Sequence, residues 1–276
     1  MNALEIRGLT KRRGDFALQG LDLTLPAGCI MGLIGENGAG KSTTIRLILN
    51  ALSRDGGTVA VYGKDNRALT PLEREDIGAV LDEVGLPEYM TAAQIGRMMA
   101  GIFTRWQPEV YRDYLRRLAL PEDKPFRDFS RGMKMKLGLA AALSHQPKLL
   151  LLDEATSGLD PVVRDEILTI FADFTRDEEH AVLISSHIVS DLEKICDYIA
   201  FLHKGRLLLC EEKDRLTEEY GILRGDTDGI APAAVCGRHA TPYGTEYLVR
   251  RDAVPAGMVL GQVNIEDLFV FMAKEV

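Results

Sequence analysis

The fold of this chain is decided by the stretch Gly35-Glu36-Asn37-Gly38-Ala39-Gly40-Lys41-Ser42, which matches the phosphate-loop pattern G-x4-G-K-[ST]. The apolar residues 29–34 before it have the character of a buried strand. Residues 43–49 after it carry apolar side chains at helical spacing. Because a phosphate loop connects a strand to a helix, pattern and context agree, and together they predict that the chain binds a nucleoside triphosphate.

The residue types of this loop suit phosphate chemistry. Glycines without side chains let backbone N–H groups turn inward around phosphate oxygens, and the following helix adds about half a positive charge at its N-terminus. Lys41 is expected to bridge the β- and γ-phosphates, and the Ser42 hydroxyl to hold Mg²⁺. The predicted nucleotide-binding residues here are Gly35, Asn37, Gly38, Ala39, Gly40, Lys41, Ser42 and Thr43.

A second half of a site follows the apolar run at residues 149–152. Such a run predicts a strand buried on both faces, whose carboxyl end is where α/β sheets place ligands. Asp153, at that end, is expected to reach the Mg²⁺ shell. Glu154 is expected to act as general base toward the water that attacks the γ-phosphate, a role that contributes about 10²–10⁴-fold in rate.

Three further motifs accompany this pair. Ser130 is placed to cap a helix that follows it, and Gly132 would allow close backbone approach, so this helix tip predicts a second anion site. Residues 157–160 form a tight turn after Glu154. His187 follows the apolar strand at residues 182–186, where it is expected to hydrogen-bond the γ-phosphate.

With these motifs in this order, residues 4–211 resemble an ATP-binding cassette (ABC) transporter ATPase. The sequence around Ser130 and Glu154 looks most like a bacterial subgroup linked to antibiotic and lantibiotic efflux and cell-envelope stress. The resemblance implies an α/β P-loop NTPase domain at residues 1–214, with a mixed sheet core and a helical subdomain at about 83–145. We expect residues 215–276 to form a small C-terminal α+β lobe of unknown role.

The chain departs from the family pattern at several positions. Where the family has an aromatic residue that stacks on adenine, this chain has Arg13, and the nearest aromatic residue is Phe16; either could serve. Asp82 replaces a family glutamine that contacts Mg²⁺ and the permease, and a carboxylate could retain the metal contact. In the signature segment, Arg131 replaces a glycine, whereas Ser130 and Gly132 are retained.

In the family, each ATP is held between two chains, so the resemblance implies a second ATPase subunit, here a homodimer, and a separate integral-membrane permease. No stretch reaches the roughly 18 apolar residues of a membrane-spanning helix, so a chain that serves a membrane is expected to do so from outside the bilayer. The resemblance implies a cytoplasmic protein at the inner face of the cell membrane. The chain has 276 residues and a net charge of −8, which argues against nucleic-acid binding. The four cysteines show no zinc-binding spacing.

Two other classes compete with the transporter ATPase. Soluble cassette proteins that act on DNA or ribosomes usually carry coiled-coil insertions or two cassettes, and this chain shows neither. A regulatory nucleotide binder without activity is disfavoured because Lys41, Asp153, Glu154 and His187 are all present.

Overall fold

The computed structural model describes residues 1–227, 229–242, 244–255 and 258–274. The strands are β1 (Asn2–Arg13), β2 (Phe16–Pro26), β3 (Ile30–Ile34), β4 (Gly56–Val61), β5 (Lys64–Asp65), β6 (Ile77–Val80), β7 (Leu149–Asp153), β8 (Ala181–Ser186), β9 (Tyr198–His203), β10 (Arg206–Glu212), β11 (Tyr220–Arg224), β12 (Val235–Thr241) and β13 (Gly244–Arg250). The α-helices are α1 (Lys41–Ile48), α2 (Pro71–Arg74), α3 (Ala92–Ala100), α4 (Pro108–Arg117), α5 (Arg131–Leu143), α6 (Pro161–Phe174), α7 (Val189–Ile195), α8 (Lys213–Glu219) and α9 (Ile265–Lys274).

These strands form three sheets. The central sheet has the order β10-β9-β3-β8-β7-β6, with parallel pairing from β9 to β6 and an antiparallel edge strand β10. An antiparallel sheet of order β2-β1-β4-β5 accompanies it, and a smaller antiparallel sheet, β11-β13-β12, lies near the C-terminus. This mixed α/β architecture confirms the predicted fold class.

Strand β7 shows why the central sheet is stable. Its side chains alternate between faces, so Leu150 and Leu152 pack into the core formed with the helices, while Leu149 and Leu151 pack into the core shared with β1, β2 and α1. All four leucines are fully buried. Each contributes on the order of 1.5–3 kcal/mol through burial of apolar surface.

The parallel register brings the carboxyl ends of three strands together. Ile34 of β3 is opposite Ser186 of β8, and Asp153 of β7 is opposite Ser185. The residues that follow these strands therefore meet at one edge of the sheet, which is where the sequence places its phosphate loop, acidic pair and histidine.

Apolar residues at helical spacing predict helix over residues 91–120. The structure divides this segment into α3 and α4, with a non-helical connection between them. Thr91 begins α3 through a capping box with Gln94. Gly96 of α3 lies against the ring of Tyr111, since an added Cβ would be 2.6 Å from that ring. Helix α5 begins after Ser130, whose hydroxyl accepts a hydrogen bond from the Met133 N–H at 3.3 Å, as the capping prediction requires.

The C-terminal region contains more regular structure than the sequence predicts. The local pattern predicts one strand at residues 246–250 and an amphipathic helix at the end of the chain, which correspond to β13 and α9. Strands β11 and β12 complete a sheet that α9 covers. Gly237 makes β12 hard to predict from sequence, because glycine is uncommon inside strands. The structure explains this glycine: Phe271 approaches so closely that a Cβ at position 237 would be 2.9 Å away.

Helix α9 also contacts the larger part of the chain. The Ile265 N–H donates to Glu193 at 2.7 Å, and the rings of Phe269 and Phe201 lie 5.4 Å apart. The predicted border between residues 214 and 215 falls inside α8, and the division into two domains stays a prediction. In the part of the chain that the structure describes, no helix is both long and apolar enough to cross a membrane.

Candidate active site

The phosphate loop joins β3 to α1 and depends on its glycines. Gly38 and Gly40 have φ angles of 84° and 114°, in the region that side chains avoid. A Cβ on Gly40 would also lie 2.7 Å from the Phe16 ring, and one on Gly35 would lie 2.4 Å from the Leu202 carbonyl oxygen. The loop therefore has little room for larger residues at Gly35 and Gly40. A tight glycine-rich backbone of this kind can turn N–H groups toward a phosphate.

Lys41 is held at the centre of this loop. Its side chain is only 5% exposed, and its ammonium donates to the Gly35 carbonyl at 2.7 Å and to the Glu36 carbonyl at 3.3 Å. The same nitrogen lies 3.1 Å from Glu154 Oε1. These oxygens of the chain itself therefore fix the position of the cation.

Ser42 and Asp153 meet as the sequence predicts. The Ser42 hydroxyl donates to Asp153 Oδ1 at 3.1 Å, and the Ser185 hydroxyl donates to the same oxygen at 2.7 Å. Asp153 is nearly fully buried. Hydroxyl and carboxylate oxygens are the ligands that Mg²⁺ prefers, so the donor set suits that ion.

Glu154 links the two remaining predicted catalytic groups. Its Oε2 lies 2.7 Å from His187 Nδ1, while its Oε1 contacts Lys41. The backbone at Glu154 has a φ of 52°, unusual for a residue with a side chain. Its N–H is held by both the hydroxyl and the carbonyl oxygen of Ser185. This strained backbone aims the carboxylate at the space beside Lys41, as strain at functional sites often does.

The structure separates the Ser130 motif from this cluster. Among the described residues, no hydrogen bond or ion pair joins Ser130 or Gly132 to Lys41, Ser42 or Glu154. A Cβ on Gly132 would make ordinary contacts at 3.6 Å to Val163 and 3.7 Å to Leu159. The packing of the chain itself therefore does not require a glycine at this position.

Asp82 lies beside Arg131 rather than in the Ser42–Asp153 cluster. Its Oδ1 accepts from the Arg131 guanidinium at 2.8 Å, and both side chains are more than half exposed. The guanidinium also lies against Gly158, where an added Cβ would be 3.2 Å from Arg131 Nη1. Asp82 and Arg131, which both depart from the family pattern, thus contact one another. The metal role of Asp82 stays a prediction. No cluster of three or more His, Cys, Asp or Glu residues suited to a metal occurs in the described ranges.

Arg13 and Phe16, the two candidates for adenine stacking, are directly opposite one another in the hairpin between β1 and β2. Opposite residues of an antiparallel pair share a face. Arg13 is exposed, whereas Phe16 is half-buried with its ring beside Gly40. Both candidates therefore lie on one side of the phosphate loop.

Ser185 is a site residue that sequence reasoning missed. It belongs to β8, and its hydroxyl orients both Asp153 and the backbone of Glu154. The available signal was a polar residue near the end of an otherwise apolar strand, two residues before His187. Its partners, however, lie on β7, and only the register between β7 and β8 brings them together.

Comparison with known proteins places this geometry in a family. Residues 18–157 match the family profile described as ABC transporter. The chain belongs to the ABC transporter family. The resemblance seen in the motifs is therefore confirmed, and the chain is an ATP-binding protein whose activity is ATP hydrolysis.

Two curated relatives and one solved structure illustrate the similarity. YhcH of Bacillus subtilis (strain 168), called an uncharacterized ABC transporter ATP-binding protein, is 35% identical over 280 residues, covering 97% of this chain and 91% of the relative. The bacitracin transport ATP-binding protein BcrA of Enterococcus faecalis is 32% identical, covering 74% of this chain and 68% of the relative. The structure of an ATP-binding subunit of an ABC transporter matches with a TM-score of 0.71 and 26% identity, covering 78% of this chain and 92% of the other.

Proposed function

We propose that this chain is the ATP-hydrolysing subunit of an exporter, working as a pair of copies on a separate membrane permease at the cytoplasmic face. The observation that carries the chemical part is the position of Glu154 between Lys41 and His187, at 3.1 and 2.7 Å. A carboxylate in this position can accept a proton from a water beside the γ-phosphate held by Lys41.

The proposed reaction is an in-line attack of that water on the γ-phosphorus. The bond to the β–γ bridging oxygen breaks, ADP leaves, and the proton of the water passes to Glu154. Lys41 and the loop N–H groups hold the phosphates, and His187 keeps the Glu154 carboxylate oriented. Ser42 and Asp153 would hold Mg²⁺, which neutralises phosphate charge.

The second copy is proposed to contribute the Ser130 motif. Gly132 is not required by packing within the chain, and the exposed Ser130 at the start of α5 has no bond to the Lys41 cluster. A partner chain that closes on the nucleotide supplies a reason for both features. ATP bound between two copies favours the closed pair, and a shift from mostly open to mostly closed needs about 5.5 kcal/mol of preference.

The direction of transport and the partner rest on similarity. BcrA is a bacitracin transport protein, which supports export of an antibiotic-like substrate. The permease is proposed to contact the helical segment between Leu81 and Phe129, which contains α3 and α4 and none of the residues proposed to bind the nucleotide or its metal apart from Asp82. The net charge of −8 disfavours a nucleic-acid partner.

The test is steady-state ATP hydrolysis by the purified full-length chain, alone and with the detergent-solubilised membrane protein that copurifies with it. We expect Mg²⁺-dependent hydrolysis whose rate changes when that membrane protein is present. A chain that binds no membrane protein and turns over ATP at an unchanged rate in membrane extracts would contradict the transporter role.

A further inference from the structure

A buried ion pair connects the starts of α6 and α7. Arg164 Nη1 lies 3.4 Å from Asp191 Oδ1, and the Asp191 side chain is only 2% exposed. Arg164 is itself three-quarters buried. Neither residue belongs to a motif recognised in the sequence, and neither contacts the Lys41–Glu154 cluster directly.

Each partner is attached to a different part of the proposed site. Arg164 Nη2 donates to the Leu159 carbonyl at 3.1 Å, so it holds the turn at residues 157–160 that precedes α6. Leu159 in turn lies beside Gly132. Asp191 is in the first turn of α7, four residues after His187. The ion pair therefore joins the turn that lies beside Gly132 to the helix that follows His187.

The Arg164–Asp191 ion pair leaves some of its polar atoms without hydrogen bonds. Asp191 Oδ2 and Arg164 Nε are buried and have no hydrogen-bond partner among the described residues. The single contact of 3.4 Å is longer than the roughly 2.7–2.9 Å of a well-formed charge-assisted hydrogen bond. Arginine and carboxylate prefer two parallel bonds, and buried polar groups left unpaired are unfavourable. A small approach of α6 toward α7 would allow that two-bond arrangement.

We propose that Arg164 and Asp191 are positioning residues that couple the 157–160 turn to His187, and that the pair tightens to two bonds when two copies close on ATP. This inference rests on the proposed two-copy function. It explains how a partner chain pressing on the 157–160 turn changes the position of His187, and through it the Glu154 carboxylate, without touching either residue.

The decisive variant is Arg164→Met/Asp191→Leu, because replacing a buried ion pair by apolar residues of similar size often leaves stability unchanged or higher. We expect a melting temperature at or above that of the wild type and unchanged ATP affinity of the isolated monomer. The turnover number should fall about tenfold or more, and the Hill coefficient for ATP should approach one. Wild-type turnover together with a wild-type Hill coefficient would overturn the proposal.

Lys136→Met/Glu166→Leu is the matched control, since it removes another partly buried ion pair of α6, with a 2.7 Å contact to α5. This control variant should keep the wild-type Hill coefficient for ATP. A fall in its Hill coefficient equal to that of the Arg164/Asp191 variant would also overturn the proposal. Arg164→Lys retains the charge but not the two-bond geometry, and it should reduce the Hill coefficient in a folded protein. If the wild type itself fails to hydrolyse ATP, the proposed function fails. If the wild type is active and cooperative and the Arg164→Met/Asp191→Leu variant matches it, only this inference fails.

Discussion

Lys41 Nζ and Glu154 Oε1 lie 3.1 Å apart, so the cation that is expected to bind phosphate already contacts the carboxylate that is expected to activate water. A γ-phosphate oxygen that binds Lys41 must share or take over this contact. ATP binding would thereby release Glu154 toward the attacking water while His187 keeps hold of its other oxygen at 2.7 Å.

Glu154→Gln should bind ATP at least as tightly as the wild type, because the change removes a negative charge beside the phosphates. Turnover should fall by about 10²–10⁴-fold, since an amide cannot accept the proton. Fluorescent-nucleotide titration and steady-state hydrolysis measure the two effects. Glu179→Gln, which changes an exposed carboxylate paired with Lys148, is the control. Near-native turnover of Glu154→Gln would show that another group is the base.

Gly132→Ala should lower ATP turnover without lowering the stability of the fold. Within the chain, the added methyl group meets only ordinary contacts, at 3.6 Å or more, so the free energy of unfolding should be unchanged or higher by about 0.4–1 kcal/mol. ATP turnover should drop about tenfold or more, because the added methyl group would hinder the close backbone approach proposed for Gly132 at the nucleotide of the partner copy. Gly138→Ala in the same helix is the contrast, since its Cβ would be 3.1 Å from Val84, so any gain in stability should be smaller than that of Gly132→Ala. An active Gly132→Ala would remove this support for the partner contact.

Asp82→Gln and Asp82→Ala test the metal role predicted for that position. If Asp82 serves the metal, both changes should shift the Mg²⁺ concentration needed for half-maximal hydrolysis. Arg131→Ala is the matched variant, because it breaks the same 2.8 Å ion pair and keeps the carboxylate. Exposed ion pairs contribute only about 0–1 kcal/mol to the free energy of unfolding, so the stability of Arg131→Ala should hardly differ from that of the wild type. An unaltered Mg²⁺ requirement and rate in both Asp82 variants would exclude the metal role.

Ser185→Ala should lower the free energy of unfolding by about 1–3 kcal/mol, because it leaves a buried Asp153 oxygen with one donor fewer. We also expect turnover to fall about tenfold, since the Glu154 backbone loses one of its two restraints. Chemical denaturation and hydrolysis assays measure both. Ser144→Ala, whose hydroxyl bonds Ala140 within the α5 region, is the control for loss of a buried serine. Equal turnover in the two variants would mean that Ser185 is only structural.

The parts of the site that sequence predicts are those whose chemistry is local. The phosphate loop depends on glycines, a lysine and a serine within eight consecutive positions, and the acidic pair directly follows its strand. The role of Ser130 as a helix cap can likewise be predicted from sequence, because the capping hydroxyl and the N–H that it binds are only three residues apart.

Ser185, Arg164 and Asp191 were not predicted because their partners lie on other elements, at sequence separations of 27 to 32 residues. Strand β12 was missed for a related reason. Gly237 weakens its local pattern, and only contact with Phe271 of α9 explains the glycine. The pairing of Asp82 with Arg131, 49 positions apart, equally required the folded chain.

The proposed mechanism depends on the claim that each ATP-binding site is completed by the Ser130 motif of a second copy. Sedimentation-velocity analysis of full-length Glu154→Gln with Mg²⁺ and ATP measures this directly. The expected result is a monomer without nucleotide, a dimer with ATP, and no dimer when Ser130→Arg is added. A Glu154→Gln protein that binds ATP and remains monomeric, or a Ser130→Arg chain with full hydrolysis, would contradict it.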